Sequence, residues 1–74
     1  MTVDEIEQFH NDCLDIMRNC PNAYAKAYAS AGRLMFDDKA IRVQCLYILN
    51  NLQHWRKGRA TEIRANLKRL GNAK

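Results

Sequence analysis

From Val3 to Cys20 the apolar residues return every three or four positions. At 100° per residue, Val3, Ile6, Phe9, His10, Cys13, Leu14, Ile16, Met17 and Cys20 share one broad arc. Glu7, Gln8, Asn11, Asp12, Asp15, Arg18 and Asn19 fill the other. That period predicts an amphipathic helix. Thr2 with Glu5 three residues on fits a capping box, and Asp4, Glu5 and Glu7 stand where the helix dipole favours negative charge. Pro21 should end it, because proline disfavours helical geometry in the residue before it.

The next stretch, Ala23 to Ala31, alternates by two, as a strand would. Five alanines in nine residues outweigh that signal and predict a second helix, started by Pro21 or Asn22 and ended near Gly32. Tyr24 and Tyr28, one turn apart, would then stack on each other. Leu34, Met35 and Phe36 predict a connection that packs down on the core.

Asp37 and Asp38 are expected to cap a third helix running to about Trp55, with Ile41, Cys45, Ile48, Leu49, Leu52 and Trp55 as its core face. Val43, Leu46 and Tyr47 project from the other side. A helix apolar on two sides is central in its bundle or touches a second subunit, so these three are candidate subunit contacts. Gly58 marks a turn or bend before a fourth helix, about Ala60 to Leu70, with Ala60, Ile63, Leu67 and Leu70 in one stripe. Gly71 is its expected left-handed stop. The pattern predicts one all-α domain over residues 1–74, a three- to four-helix bundle ending in an αα-hairpin. It leaves open whether the second and third helices are separate.

Seventy-four residues bury only about 60% of the surface the unfolded chain exposes, so a staple or a partner subunit is the usual supplement. Three cysteines, Cys13, Cys20 and Cys45, make an odd set with no C-x-x-C pair, which suits buried thiols in a reducing compartment. The first residues are acidic rather than basic, and no apolar run approaches the ~20 residues that span a bilayer. These features predict a soluble, cytoplasmic protein without membrane contact, and the size favours a homo-oligomer.

Charge divides the chain. Residues 1–38 hold seven acids against three cations, and residues 39–74 hold nine cations against Glu62 alone. A concentrated basic end attracts anionic partners. Arg56, Lys57, Arg59, Arg64, Lys68 and Arg69 are therefore the candidate contacts to nucleic acid or to an acidic protein surface. If helix continued through Gly58, then Lys57, Thr61, Arg64 and Lys68 would form one row able to track phosphates. The alternative is a solvated face, with Arg59 paired to Glu62 or part of the basic end docked on the acidic helix of the same chain. Trp55 could stack on a base, but its place on the arc with Ile48 and Leu52 fits core. A helix-turn-helix fits poorly, since the third helix is long for the supporting element and the turn lacks its setting.

Little supports catalysis. Ser30 is the only serine and has no histidine near it, and the three glycines are isolated rather than gathered in a phosphate loop. No catalytic residue and no cofactor is assigned, and the protein reads as a non-enzyme. His10, Cys13 and Cys20 with Cys45 or His54 could supply four metal ligands, yet their spacing matches no standard zinc pattern, so no metal is assigned.

The run Val43-Gln44-Cys45-Leu46-Tyr47-Ile48-Leu49-Asn50-Asn51-Leu52-Gln53-His54-Trp55-Arg56, with Gly58, Ala60, Ile63, Arg64 and Leu67 after it, resembles small uncharacterised proteins encoded by tailed phages and prophages. The stretch Asn22-Ala23-Tyr24-Ala25 is similar too, and the likeness covers roughly residues 19–70. It implies an accessory protein acting inside a bacterium by binding a host or phage macromolecule. Two readings follow: a module contacting nucleic acid or nucleoprotein through the basic end, or an inhibitor or adaptor, such as an anti-defence protein, binding a host or phage protein by helix packing.

Overall fold

The computed structural model describes residues 1–72; Lys74, counted in the basic end, lies outside them. The described residues form four α-helices: α1 (Val3–Asn19), α2 (Ala23–Gly32), α3 (Asp38–Leu49) and α4 (Ala60–Gly71). Each packs on its neighbour in sequence, and α4 closes back on α1. The expected all-α bundle is the fold, and the second and third helices are separate.

Helix starts follow the chemistry of orphan backbone donors. Thr2 accepts from the Glu5 amide while Glu5 accepts from the Thr2 amide, completing the capping box. These bonds hold the Glu5 carboxyl below its ordinary range. Asn22 caps α2 through the Ala25 amide, and Asp37 caps α3 through the Ala40 amide. Asp38 is the first residue of α3 rather than part of the cap.

One core runs through all four helices. Phe9, Cys13, Ile16, Ala25, Ala29, Ile41, Cys45, Ile48, Ile63 and Leu67 are fully buried. Each large apolar side chain so buried contributes about 1.5–3 kcal/mol against the entropy of ordering the chain. Between α2 and α3, Met35 packs against this core, but Leu34 and Phe36 stay exposed. The connection packs down at Met35 only. There the His10 Nε2–H donates to the Met35 carbonyl (2.6 Å), and the Phe36 ring stands edge-on to His10.

α3 is shorter than its apolar period predicts. It ends at Leu49, not near Trp55. Beyond it the backbone tightens into three-residue turns: the Asn51 amide bonds to the Ile48 carbonyl, Leu52 to Leu49 and Trp55 to Leu52. Asn51 also reaches back with its side chain to the Tyr47 carbonyl. Asparagine competes for backbone groups in this way and weakens helix continuation. Leu52 and Trp55 remain buried, at 0% and 5% exposure, because spacings of three and four keep them on the core side through the turns.

Glycines divide the last third differently from expectation. Among the described residues Gly58 alone adopts a left-handed backbone, φ +59°, so helix does not run through it. A Cβ there would touch nothing within 4 Å. Gly58→Ala should therefore cost only the backbone penalty, about 1–2 kcal/mol in chemical denaturation, with Gly58→Asn costing less. Gly71 is not a left-handed stop. It is the last residue of α4, and a Cβ on it would lie 3.0 Å from a Leu46 methyl and 3.4 Å from Cys45 Cβ. Close approach explains it. With Gly71 at Cys45 and Leu46 and Arg64 at Leu52, α3 and α4 pair antiparallel, as an αα-hairpin should.

Candidate polyanion-binding site

The six cations singled out in the basic end divide into two that the fold uses and four that it leaves free. Arg59 precedes α4 and spreads its guanidinium over three carboxylates. Nη2 donates to Asp12 Oδ1 (3.3 Å), Nη1 to Asp15 Oδ2 (3.3 Å) and Nε to Glu62 Oε2 (3.0 Å). It pairs with Glu62 and docks on the acidic helix, the two internal arrangements weighed for the basic end. The same contacts hold the Glu62 carboxyl below its ordinary range. Arg64 turns back over the α3–α4 connection, donating Nη1 to the carbonyls of Leu52 and Trp55 and Nη2 to the Thr61 hydroxyl. Both carbonyls lie outside helix; the Leu52 carbonyl also accepts from the Trp55 amide, whereas the Trp55 carbonyl has no other partner among the described residues.

Arg56, Lys57, Lys68 and Arg69 are exposed, and none forms an ion pair or side-chain hydrogen bond among the described residues. The continuous row Lys57, Thr61, Arg64 and Lys68 does not form, because Gly58 breaks the helix and Arg64 is occupied. Arg56 and Lys57 instead border a groove of about 320 Å³, whose other walls are Asn19, Pro21, His54 and Trp55. A depression of about 190 Å³ adjoins it over Pro21, His54 and Trp55, and adds Asn22 and Asn51. No carboxylate lines either.

Sequence reasoning missed the inner partner of this region. Asp12, placed on the polar arc, is fully buried. It accepts from Gln8 Nε2 (2.9 Å), Asn66 Nδ2 (3.1 Å) and Arg59, and so ties α1 to α4. Burial raises its carboxyl above the ordinary range, with the Asn66 and Gln8 hydrogen bonds and the Arg59 charge pulling the other way. A signal existed: Asp12 lies about 60° from Phe9 around the helix, at the border of the apolar arc.

No family model, curated protein or solved structure matches the chain. The likeness to phage-encoded proteins rests on the residues quoted above alone. Nor does the α3–α4 connection revive a helix-turn-helix, since residues 50–59 far exceed that motif's three- to four-residue turn.

Other chemistry is inward. Cys13, Cys20 and Cys45 are free thiols, all buried. Burial pushes Cys13 and Cys45 up to about 12, which keeps both protonated and unreactive. Among the described residues no three His, Cys, Asp or Glu side chains gather closely enough to hold a metal ion, and no helix is long and apolar enough to cross a membrane.

On the opposite side, Val43, Leu46 and Tyr47 stand 48%, 42% and 49% exposed on α3. The Tyr47 ring stacks on Tyr28 of α2, with centroids 5.5 Å apart and planes 25° apart. Tyr28 thus finds its ring partner on α3 rather than in Tyr24, which remains 71% exposed.

Proposed function

We propose that the protein is a non-enzymatic helical binding module that contacts nucleic acid or nucleoprotein through the free cations of its basic end. One observation carries this reading. Arg56 and Lys57 stand unpaired beside a groove that no carboxylate among the described residues lines. The charged side chains of its lining are therefore cations only, as a phosphate contact requires.

Titrating labelled duplex and single-stranded oligonucleotides over a range of salt tests it. Binding should weaken as salt rises, with a slope of log K near −0.9 per duplex phosphate neutralised. The Arg56→Glu, Lys57→Glu double variant should lose affinity and flatten that slope by about two. Salt-independent binding, or binding untouched by the double reversal, would sink the reading.

A second reading has its own support. The exposed α3 stripe with the Tyr28–Tyr47 stack is a preformed apolar face of the kind that receives a partner helix. On this reading the module is an inhibitor or adaptor, or pairs with a second copy of itself. Val43→Asp, at an exposed position, should then abolish a stoichiometric complex or a dimer in sedimentation while leaving oligonucleotide binding intact.

A further inference from the structure

The groove between the start of α2 and the α3–α4 connection has features that general basicity does not explain. Its volume, about 320 Å³, sits at the lower end of small-ligand pockets. That is room for one nucleotide, not for a strand lying across it. Among the described residues, the only charged side chains in its walls are cations. Arg56 and Lys57 supply charge, and the side chains of His54, Asn19, Asn22 and Asn51 supply further polar groups. Trp55 is 95% enclosed by the fold, yet what remains exposed of it borders both the groove and the adjoining depression. Its indole N–H has no acceptor among the described residues.

The backbone adds to this. The 10-residue helix α2 begins at the groove, and no acid stands in its first turn. Asn22 takes the Ala25 amide through its side chain and the Lys26 amide through its carbonyl. The Ala23 and Tyr24 amides keep no acceptor among the described residues. On the other side, α3 ends at the same corner, where open carbonyls would repel an anion. They are closed off: Leu46 by the Asn50 amide, Tyr47 by the Asn51 side chain, Ile48 by the Asn51 amide and Leu49 by the Leu52 amide. The corner thus offers an oxyanion the charges of Arg56 and Lys57 and, at the start of α2, backbone amides that keep no partner.

We infer that this groove is a phosphate site that takes a single nucleotide. Arg56 and Lys57 hold the phosphate, and the Pro21 ring with the exposed edge of Trp55 supports the base or sugar. The inference rests on the nucleic-acid reading and sharpens it. The binding unit is a phosphate group, supplied either by a free nucleoside 5′-monophosphate or by the phosphorylated end of a strand.

Trp55 is the only tryptophan, so its indole N–H gives one nitrogen-15 cross-peak that reports on the groove directly. The full chain is titrated with adenosine 5′-monophosphate, adenosine, inorganic phosphate, and a short single-stranded oligonucleotide with and without a 5′-phosphate. The monophosphate should move the indole peak saturably, and adenosine should not. Preference for the phosphorylated oligonucleotide would identify strand ends as the source, a response to neither would identify the free nucleotide, and an equal response to both would overturn the single-nucleotide assignment. Arg56→Glu should weaken monophosphate binding about tenfold or more, while Lys68→Glu, outside the groove, should leave it unchanged. Circular dichroism confirms that both variants are folded. The inference falls if the monophosphate leaves the indole peak in place, or if adenosine moves it as far. Should long oligonucleotides still bind in a salt-dependent way, only the groove assignment falls; should they fail too, the nucleic-acid reading falls with it.

Discussion

Asp12→Ala should lower the unfolding free energy by about 2–4 kcal/mol, the range for breaking a buried, hydrogen-bonded charge. A chain of this length has roughly 4–11 kcal/mol in all, so the loss would leave a marginal domain. The cost arises because Gln8 and Asn66 lose their shared acceptor in a dry site, while Arg59, 41% exposed, keeps Asp15 and Glu62. Urea denaturation followed by circular dichroism measures it. Glu62→Ala, which removes an exposed partner of the same arginine, should change stability far less. Equal effects of the two substitutions would show that burial of Asp12 contributes nothing.

The same carboxylate gives stability a pH dependence of unusual sign. Burial raises the folded-state pKa of Asp12 above its unfolded value, so the folded state binds its proton more tightly. Its contribution is therefore fullest below the unfolded carboxylate value and declines as pH rises through the folded one. Glu5 and Glu62, held below their ordinary values, contribute above the unfolded value and lose that contribution as pH falls. Asp12→Asn removes one side of this opposition. The stability difference between the natural chain and Asp12→Asn should shrink as pH rises through the carboxylate range. A difference that grew instead would mean that the bonds from Asn66, Gln8 and Arg59 outweigh desolvation.

Helix identity was legible because local and tertiary signals agree. Thr2, Glu5, Asn22 and Asp37 are caps in sequence and caps in the fold. The apolar stripe of α4 is buried at every predicted position: Ala60, Ile63, Leu67 and Leu70. The end of α3 was not legible for a physical reason. Apolar spacing reports which side of the chain meets the core, and tight turns after Leu49 keep Leu52 and Trp55 on that side as well as a helix would. Only the Asn50-Asn51 pair argued for a stop. Pairing across the bundle was hidden for a related reason, since Tyr28 meeting Tyr47 depends on the approach of α2 to α3, which no local period encodes.

The candidate site shows the same division. That the basic end gathers cations is plain in the sequence. Which cations are free is not, because Arg59 and Arg64 find their partners 44 and 9 residues away, at Asp15 and Trp55. Cations crowd the start of α4, where the helix dipole opposes them. Arg59 resolves part of that conflict by drawing three carboxylates to the start of α4. What remains uncompensated is Arg56 and Lys57, and the groove lies beside those two.

Arg64 separates structural from electrostatic roles within the basic end. Arg64→Ala should cost about 1.5–3 kcal/mol, because the guanidinium is the partner of the Trp55 carbonyl and a second donor to the Leu52 carbonyl, in a connection that has no regular ladder. Arg64→Lys is the informative comparison. Lysine keeps the charge but lacks the planar fork that spans two carbonyls and the Thr61 hydroxyl together. If Arg64 acts as a cap, lysine should recover less than half of the lost stability, and emission of the single tryptophan should shift to the red as the turn holding Trp55 loosens. If Arg64 matters as a phosphate contact instead, lysine should restore oligonucleotide binding fully, and both variants should melt with the natural chain. The geometry favours the first outcome. Charge reversal at Arg64 is therefore a poor probe of binding, because it would empty the groove by unfolding its wall, whereas reversal at Arg56 and Lys57 changes the charge and leaves the hydrogen bonds of the fold intact.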